Sequence, residues 1–90
     1  MIEYNDIKYE LIEDYKHKFD KNEVKEYLTD FYKVYDYILG DYFAGRVRLK
    51  GFYEDGNKKA SKSNNYKYVK DYITNYCSYD CAYFILKKIK

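Results

Sequence analysis

The sequence predicts an α+β domain built on a single antiparallel sheet of about four strands, with two helices on one face. Segments with alternating apolar and polar residues lie near the start, in the middle and at the end of the chain, which is typical of strands. Two segments between them repeat apolar residues every three or four positions, which is typical of amphipathic helices. The 90 residues suit a single domain spanning 1–90.

The first predicted strand is 7–14, IKYELIED. Its side chains alternate, with Ile7 on one side of the strand and Lys8 on the other. The preceding residues, MIEYND, favour a short N-terminal arm that turns at Asn5-Asp6, because Asn and Asp are common in tight turns.

The first predicted helix is 20–35. Asp20 is placed to cap it, and Glu23 follows three residues later, which is a common helix start. The apolar residues at helical spacing are expected to face the core, and they are Val24, Tyr27, Leu28, Phe31 and Val34.

The middle of the chain predicts a hairpin. Residues 35–40 favour a strand, residues 40–45 a turn bracketed by two glycines, and residues 45–53 a second strand. In the second strand Val47 and Leu49 face one way. Its other side carries Arg46, Arg48 and Lys50.

Residues 54–65 predict a basic loop, because Ala60 is their only apolar residue and Asp55-Gly56 is a turn signal. A second helix over 64–77, capped by an Asn or Ser, and a final strand over 81–89 follow. The order β-α-β-β-α-β matches the ferredoxin-like plan, in which two helices cover one face of a four-stranded sheet.

The charges are unevenly distributed along the chain. Residues 1–45 contain six lysines against eleven acidic residues, whereas residues 46–90 contain eleven basic residues against four acidic ones. A basic half suggests an anionic partner, unless folding mixes the two halves and neutralises the field.

Several classes of protein are disfavoured. An apolar run long enough to span a membrane is missing, and the N-terminus does not resemble a secretory signal. We therefore expect a cytoplasmic protein with free thiols at Cys77 and Cys81, and the alternative is a labile disulfide between them. The chain offers no phosphate-binding glycine loop, no evident catalytic pair and no set of zinc ligands. The prediction is thus a non-enzymatic protein without metal or cofactor.

The leading functional prediction is an interface for RNA or a ribonucleoprotein. Arginine grips phosphate with a planar fork, and aromatic rings stack on unpaired bases. The predicted interface consists of Arg46, Arg48, Lys50, Tyr42, Phe43 and Phe52. The alternative for the basic side chains is a solvated face whose charges pair across strands.

A protein–protein adaptor is the competing prediction. The aromatic turn would then anchor a protein partner, with Asp41, Tyr42 and Phe43 as the contact residues. We expect a monomer or a weak dimer. In a third alternative these residues serve only the fold, and the function lies in the loop 56–65.

Three segments resemble the YutD-like family of small cytosolic proteins from low-GC Gram-positive bacteria. They are YELIEDYK (9–16), YDYILGDY with RVRLKGFY (35–42 and 46–53), and YCSYDCAYFILKK (76–88). The resemblance covers about residues 7–89. The turn differs, because Tyr42, Phe43 and Ala44 stand where the family usually has Trp, Gly and Tyr. The family has no assigned catalytic residues, so the resemblance implies a fold and little about function.

Overall fold

The computed structural model describes residues 2–76 and 81–89, apart from the side chain of Phe43. This part of the chain has the predicted α+β composition. Its elements are β1 (Ile2–Tyr4), β2 (Ile7–Tyr15), α1 (Lys21–Tyr27), a first 3-10 helix (Asp30–Val34), β3 (Tyr37–Phe43), β4 (Arg46–Phe52), a second 3-10 helix (Tyr66–Tyr68), α2 (Val69–Tyr76) and β5 (Tyr83–Ile89).

The described strands form one antiparallel sheet in the order β1-β2-β5-β3-β4. The sheet has five strands and is curled into a half-barrel, so the prediction of four is one too few. The extra strand is the N-terminal arm, which pairs with β2 along its whole length. It turns where predicted, at Asn5 and Asp6, whose φ angles of 47° and 67° suit a tight hairpin.

The two α-helices cover opposite faces of the sheet. Val24 of α1 and Leu28, which follows the helix, pack in one core with Ile38, whereas Val69 of α2 packs in a second core with Leu39. Ile38 and Leu39 are neighbours in β3, so their side chains point to opposite faces. The prediction of both helices on one face is therefore wrong, and the ferredoxin-like plan is not confirmed.

The central strand β5 explains why both faces need a cover. Phe84, Ile85 and Leu86 are consecutive and fully buried, as in a strand that is enclosed on both sides. Phe84 and Leu86 belong to the core under α1, and Ile85 belongs to the core under α2. A helix on only one face would leave part of this apolar strand in water.

The first helix is much shorter than predicted. Asp20 caps α1 as expected, because its Oδ1 accepts hydrogen bonds from the N–H groups of Asn22 (3.0 Å) and Glu23 (3.3 Å). The helix ends at Tyr27, and the following Leu28 and Thr29 are extended. The predicted single helix over 20–35 is therefore two elements, an α-helix and a 3-10 helix, with extended residues between them.

The β3–β4 hairpin turns later than predicted. Its turn is Ala44-Gly45, with φ angles of 53° and 76°, which match the mirror-image two-residue turns of hairpins. Gly40 and Asp41, predicted to lie in the turn, are instead inside β3. Val47 is buried and Leu49 is packed against the core under α1, so the predicted inward side of this strand is confirmed.

The loop 54–65 is anchored to the domain by buried polar groups. The carboxylate of Asp36 accepts hydrogen bonds from the Glu54 N–H (2.8 Å) and the Asn57 side chain (3.3 Å). Asn65 caps the second 3-10 helix by accepting from the Lys67 N–H (3.0 Å), which confirms the predicted type of cap. The Tyr53 N–H also donates to the Asn64 carbonyl (2.7 Å), so the two ends of the loop are held together.

Candidate functional site

The six residues predicted to bind nucleic acid do not form one surface. Arg46, Arg48, Lys50 and Phe52 alternate onto the sheet face that carries α2, which we call the α2 face. Tyr42 lies on the other face, where its hydroxyl donates to the Lys18 carbonyl (2.8 Å). The side chain of Phe43 lies outside the described part of the chain. Stacking by Tyr42 and phosphate binding by the arginines therefore cannot occur at one place.

Arg48 is bound to its own sheet. It lies opposite Asp41 in the β3–β4 register, and its Nε and Nη2 donate to the two Asp41 oxygens at 3.0 and 2.6 Å. This hydrogen bond raises the pKa of Arg48. Asp41 is buried, so it is not the partner-facing turn residue that the sequence predicted. The forked geometry that favours arginine is used within the fold.

Phe52 is part of the core and cannot stack on a ligand, because it is only 1% exposed. The Lys50 ammonium instead lies over the Phe52 ring, 5.4 Å from its centroid, and over the Tyr72 ring at 5.6 Å. Such contacts between a cation and a ring are favourable. Burial raises the pKa of the Tyr72 hydroxyl.

A groove lies beside Lys50, between α2, β4 and the loop 54–65. Its volume is about 620 Å³, within the range of small-molecule sites. We call it the α2–β4 groove, and its lining residues are Lys50, Phe52, Lys62, Ser63, Tyr68, Asp71, Tyr72, Asn75 and Tyr76. A smaller cavity of about 160 Å³ shares Lys50 and Tyr72 with it and ends at the Arg48–Asp41 pair.

The tyrosines of the groove come from the predicted second helix, and none of them is among the residues predicted to form a site. Tyr68, Tyr72 and Tyr76 are four residues apart and lie on one side of the helical segment. The Tyr72 and Tyr76 rings stack at 4.7 Å, and Tyr76 is 66% exposed. The spacing of four was visible in the sequence, but it does not say whether such a row faces the core or a groove.

A charged cluster joins α2 to the sheet. The Lys70 ammonium donates to Glu13 (2.7 Å) and to the Tyr83 hydroxyl (3.0 Å), and that hydroxyl donates to Glu13. Burial opposes ionisation of Glu13, but the hydrogen bonds from Lys70 and Tyr83 prevail and lower its pKa. The same contacts outweigh burial at Lys70 and raise its pKa. The cluster thus stabilises the position of the helix that forms one wall of the groove.

The other face of the molecule exposes apolar residues that the sequence predicted to be core. Phe31 is 66% exposed and Val34 is 48% exposed. Both belong to the first 3-10 helix, in which residues three apart lie on one side. The Phe31 ring also meets Tyr32 edge-on at 5.1 Å and Tyr35 at 5.8 Å. We call Phe31, Val34, Tyr32 and Tyr35 the Phe31 surface.

The cysteines and possible metal ligands add little to these two sites. Cys81 is disulfide-bonded, so the prediction of a free thiol is wrong for it. Cys77 lies outside the described residues. Within the described ranges there is no group of three or more His, Cys, Asp or Glu side chains able to hold a metal ion. None of the helices described is long and apolar enough to cross a membrane.

Comparison with known proteins agrees with the resemblance seen in the sequence. The family model described as "Putative antitoxin YutD-like" matches residues 3–87. The chain is similar to "Putative antitoxin YutD" of Bacillus subtilis (strain 168), with 39% identity over 90 residues that cover 100% of this chain and 99% of that protein.

A solved structure supports the same relationship. The solution NMR structure of YutD from B. subtilis matches with a TM-score of 0.82 and 39% identity, over 100% of this chain and 82% of that one. Sequence and fold therefore agree along the whole length of the chain. The chain belongs to the YutD-like family.

Proposed function

We propose that this chain is a non-enzymatic protein-binding module whose contact surface is centred on Phe31. The observation that carries the proposal is the 66% exposure of this large apolar side chain, with Val34 beside it. Clustered apolar side chains in water commonly mark protein interfaces, and aromatic residues are enriched at the centres of such interfaces.

The way the chain exposes Phe31 supports this proposal. A continuous helix from 20 to 35 would place Phe31 and Val34 in line with Val24 and Leu28, which are buried. The extended residues Leu28 and Thr29 interrupt the helix and turn the later pair outward. Burying a side chain of this size contributes roughly 1.5–3 kcal/mol. A partner that covers Phe31 would gain this free energy on binding.

The names of the relatives favour a partner as well. The matching family and the B. subtilis protein are both described as a "Putative antitoxin", and an antitoxin acts on a toxin. We therefore keep the adaptor function that the sequence predicts, but we propose a different contact surface for it. Of the predicted contact residues, Asp41 is buried and Tyr42 is bonded to the Lys18 carbonyl, so the Phe31 surface replaces them.

The test compares Phe31→Ala and Val34→Ala with the unchanged protein. Tagged protein is purified from cells of the source organism after nuclease treatment and a high-salt wash, and bound proteins are identified by mass spectrometry. The partner so identified is then purified and its affinity is measured. Each variant should weaken binding about tenfold or more, as expected when an interface anchor is truncated. The melting temperature should change little, because neither side chain is part of the buried core.

Tyr76→Ala is the matched control for this test. Tyr76 has the same exposure as Phe31, 66%, but lies on the α2 side of the sheet, so its loss should leave the partner's affinity unchanged. Equal affinity for the Phe31→Ala variant and the unchanged protein would contradict the proposal. Light scattering on the free protein tests the expected monomer or weak dimer in the same experiment.

The nucleic-acid function is a second proposal, favoured by the position of Lys50 in a groove that also holds Tyr72 and Tyr76. Cations beside aromatic rings are the usual elements of single-strand binding sites. The expected behaviour is RNA binding whose log affinity falls by about 0.7 per phosphate contact as log salt rises. Arg46→Ala with Lys50→Ala tests this better than a change at Arg48, which would leave the buried Asp41 unpaired. A cytoplasmic location suits either proposal and stays a prediction.

A further inference from the structure

The geometry points to a nucleotide-binding site in the α2–β4 groove, and we propose that the groove holds one base together with its phosphate. The base would stack on Tyr76, and the phosphate would lie between Lys50 and Lys62. This inference deepens the second proposed function, and it rests on that function where the ligand is RNA. It is independent of the Phe31 surface.

Tyr76 supplies the stacking platform. One side of its ring is stacked on Tyr72, with an interplanar angle of 28°, while the residue as a whole is 66% exposed. Tyr72 is fixed in turn by an edge-on contact with the buried Phe52 at 5.5 Å. A ring that is held from behind and open in front can accept a planar base without losing much side-chain freedom.

Lys50 and Lys62 supply the positive charge. Lys50 reaches the groove from β4, and Lys62 reaches it from the loop 54–65, so the two cations approach from different walls. Lys50 contacts the Phe52 and Tyr72 rings, and none of the ion pairs found in the described residues includes it. Among the lining residues that the structure describes, Asp71 is the one acidic side chain, so these residues together carry a net positive charge.

The size of the groove selects the class of ligand. A volume of about 620 Å³ is large enough for a base, a sugar and a phosphate, since pockets for drug-sized ligands have volumes of about 300–1,000 Å³. The lining combines aromatic rings with two cations, which suits a planar ring that carries an anion. A nucleotide has this chemistry whether it is free or part of a single strand of RNA.

The test titrates the full chain with two probes, AMP and a short oligoadenylate, and follows backbone amide shifts by NMR. The shifts should concentrate at 50–52, 62–63 and 68–76. Tyr76→Ala should weaken binding about tenfold or more, whereas Tyr76→Phe should retain it, because stacking needs the ring and not the hydroxyl. Lys50→Gln should weaken binding and reduce its salt dependence. Lys59→Gln is the matched control, because Lys59 is exposed on the same loop as Lys62 but does not line the groove.

The two probes separate the sources of the ligand. Saturable binding of AMP with these shifts supports a site for a free nucleotide, and binding of the oligoadenylate alone supports a site for RNA. Oligoadenylate binding that depends on Arg46 but not on Lys50 or Tyr76 would overturn the inference and leave the second proposed function standing. Absence of binding by either probe would overturn both. Phe31→Ala should bind both probes normally, so failure of the protein-binding proposal is seen separately.

Discussion

Gly40 shows how closely two strands can approach at a single residue. It lies opposite Phe84 in the β3–β5 register, and a Cβ at this position would overlap the Phe84 ring. A Cβ at Gly51 would likewise overlap the ring of Tyr35. Both glycines lie within strands, where the ring of a neighbouring residue occupies the space that a side chain would need.

Gly40→Ala should destabilise the protein by about 1–3 kcal/mol, the usual cost of overpacking. Phe84 is fully buried and has no room to move. Gly51→Ala should cost less, because Tyr35 is only half-buried and can rotate outward. Urea denaturation of the two variants checks this order. A Gly40→Ala variant as stable as the unchanged protein would show that the ring of Phe84 is not held in place as described.

At the scale of elements, each α-helix is short and depends on its contacts with the sheet. Helices of seven and eight residues, such as α1 and α2, have little stability of their own. The Glu13–Lys70–Tyr83 cluster connects α2 to β2 and β5. The groove wall therefore depends on a few polar contacts as well as on the core under α2.

Glu13→Gln should reduce the loss of stability at acidic pH. The folded pKa of Glu13 lies below its ordinary value of 4.5, so its contribution is present above that value and is lost as pH falls through the folded pKa. Glutamine does not titrate, so the variant lacks the pH-dependent contribution of Glu13 to stability. The free energy of unfolding should then fall less steeply at acidic pH. It should still fall, because the hydrogen bond from Asn65 also lowers the pKa of Asp55.

Urea midpoints measured from neutral to acidic pH check this prediction. Lys67→Ala is the matched control, since Lys67 and Asp55 form an exposed pair at 3.7 Å, and exposed pairs contribute little to stability. An acid-side slope in Glu13→Gln equal to that of the unchanged protein would show that the cluster does not stabilise the fold.

At the scale of the whole molecule, the fold is a curled sheet between two cores. α1 contacts both outer strands, β1 and β4, so it covers the edges of the half-barrel as well as one face. Many of the 15 tyrosines surround these cores with their rings partly buried. Burial disfavours the charged phenolate, and it raises the pKa of Tyr9, Tyr32, Tyr42, Tyr66, Tyr72 and Tyr83.

The folded protein should therefore show two classes of tyrosine in an alkaline titration followed by ultraviolet absorbance. The tyrosines whose pKa is raised by burial should ionise above the ordinary value of about 10, with the pKa of Tyr42 raised to about 12. Because the folded pKa values are raised, their stabilising contribution is complete below pH 10 and is lost as pH rises through them. In urea all tyrosines should titrate together, and a folded protein with one class would contradict the assigned burial.

Several elements could be predicted from the sequence because their signals are local. The cap at Asp20, the turn at Asn5-Asp6 and the alternation around Val47 depend on residues close together in the chain. The length of the first helix could not be predicted, because the apolar residues keep their helical spacing past Tyr27 although the backbone is no longer helical there. The extended Leu28 and Thr29 carry no local signal as strong as a proline or a glycine.

The candidate sites were harder to predict because they join residues far apart in sequence. Lys50 was correctly identified as a residue on a basic strand face, but its neighbours Tyr72 and Tyr76 come from a helix about twenty residues later. The cover over that face was missed because the sequence does not say which side of a sheet a helix takes. Arg48 was singled out for its forked geometry, and the fork binds Asp41.

The sequence by itself determined the α+β class, the family and most strand positions, because these follow from residue spacing and from motifs along the chain. Only the tertiary structure decided which apolar residues are core and which are surface. It exposed Phe31 and Tyr76, although both continue a helical apolar spacing, and it buried Phe52, which lies on the same side of β4 as the cations. The physical reason is that a periodic pattern fixes the side of an element on which a residue lies, while burial depends on what packs against that side.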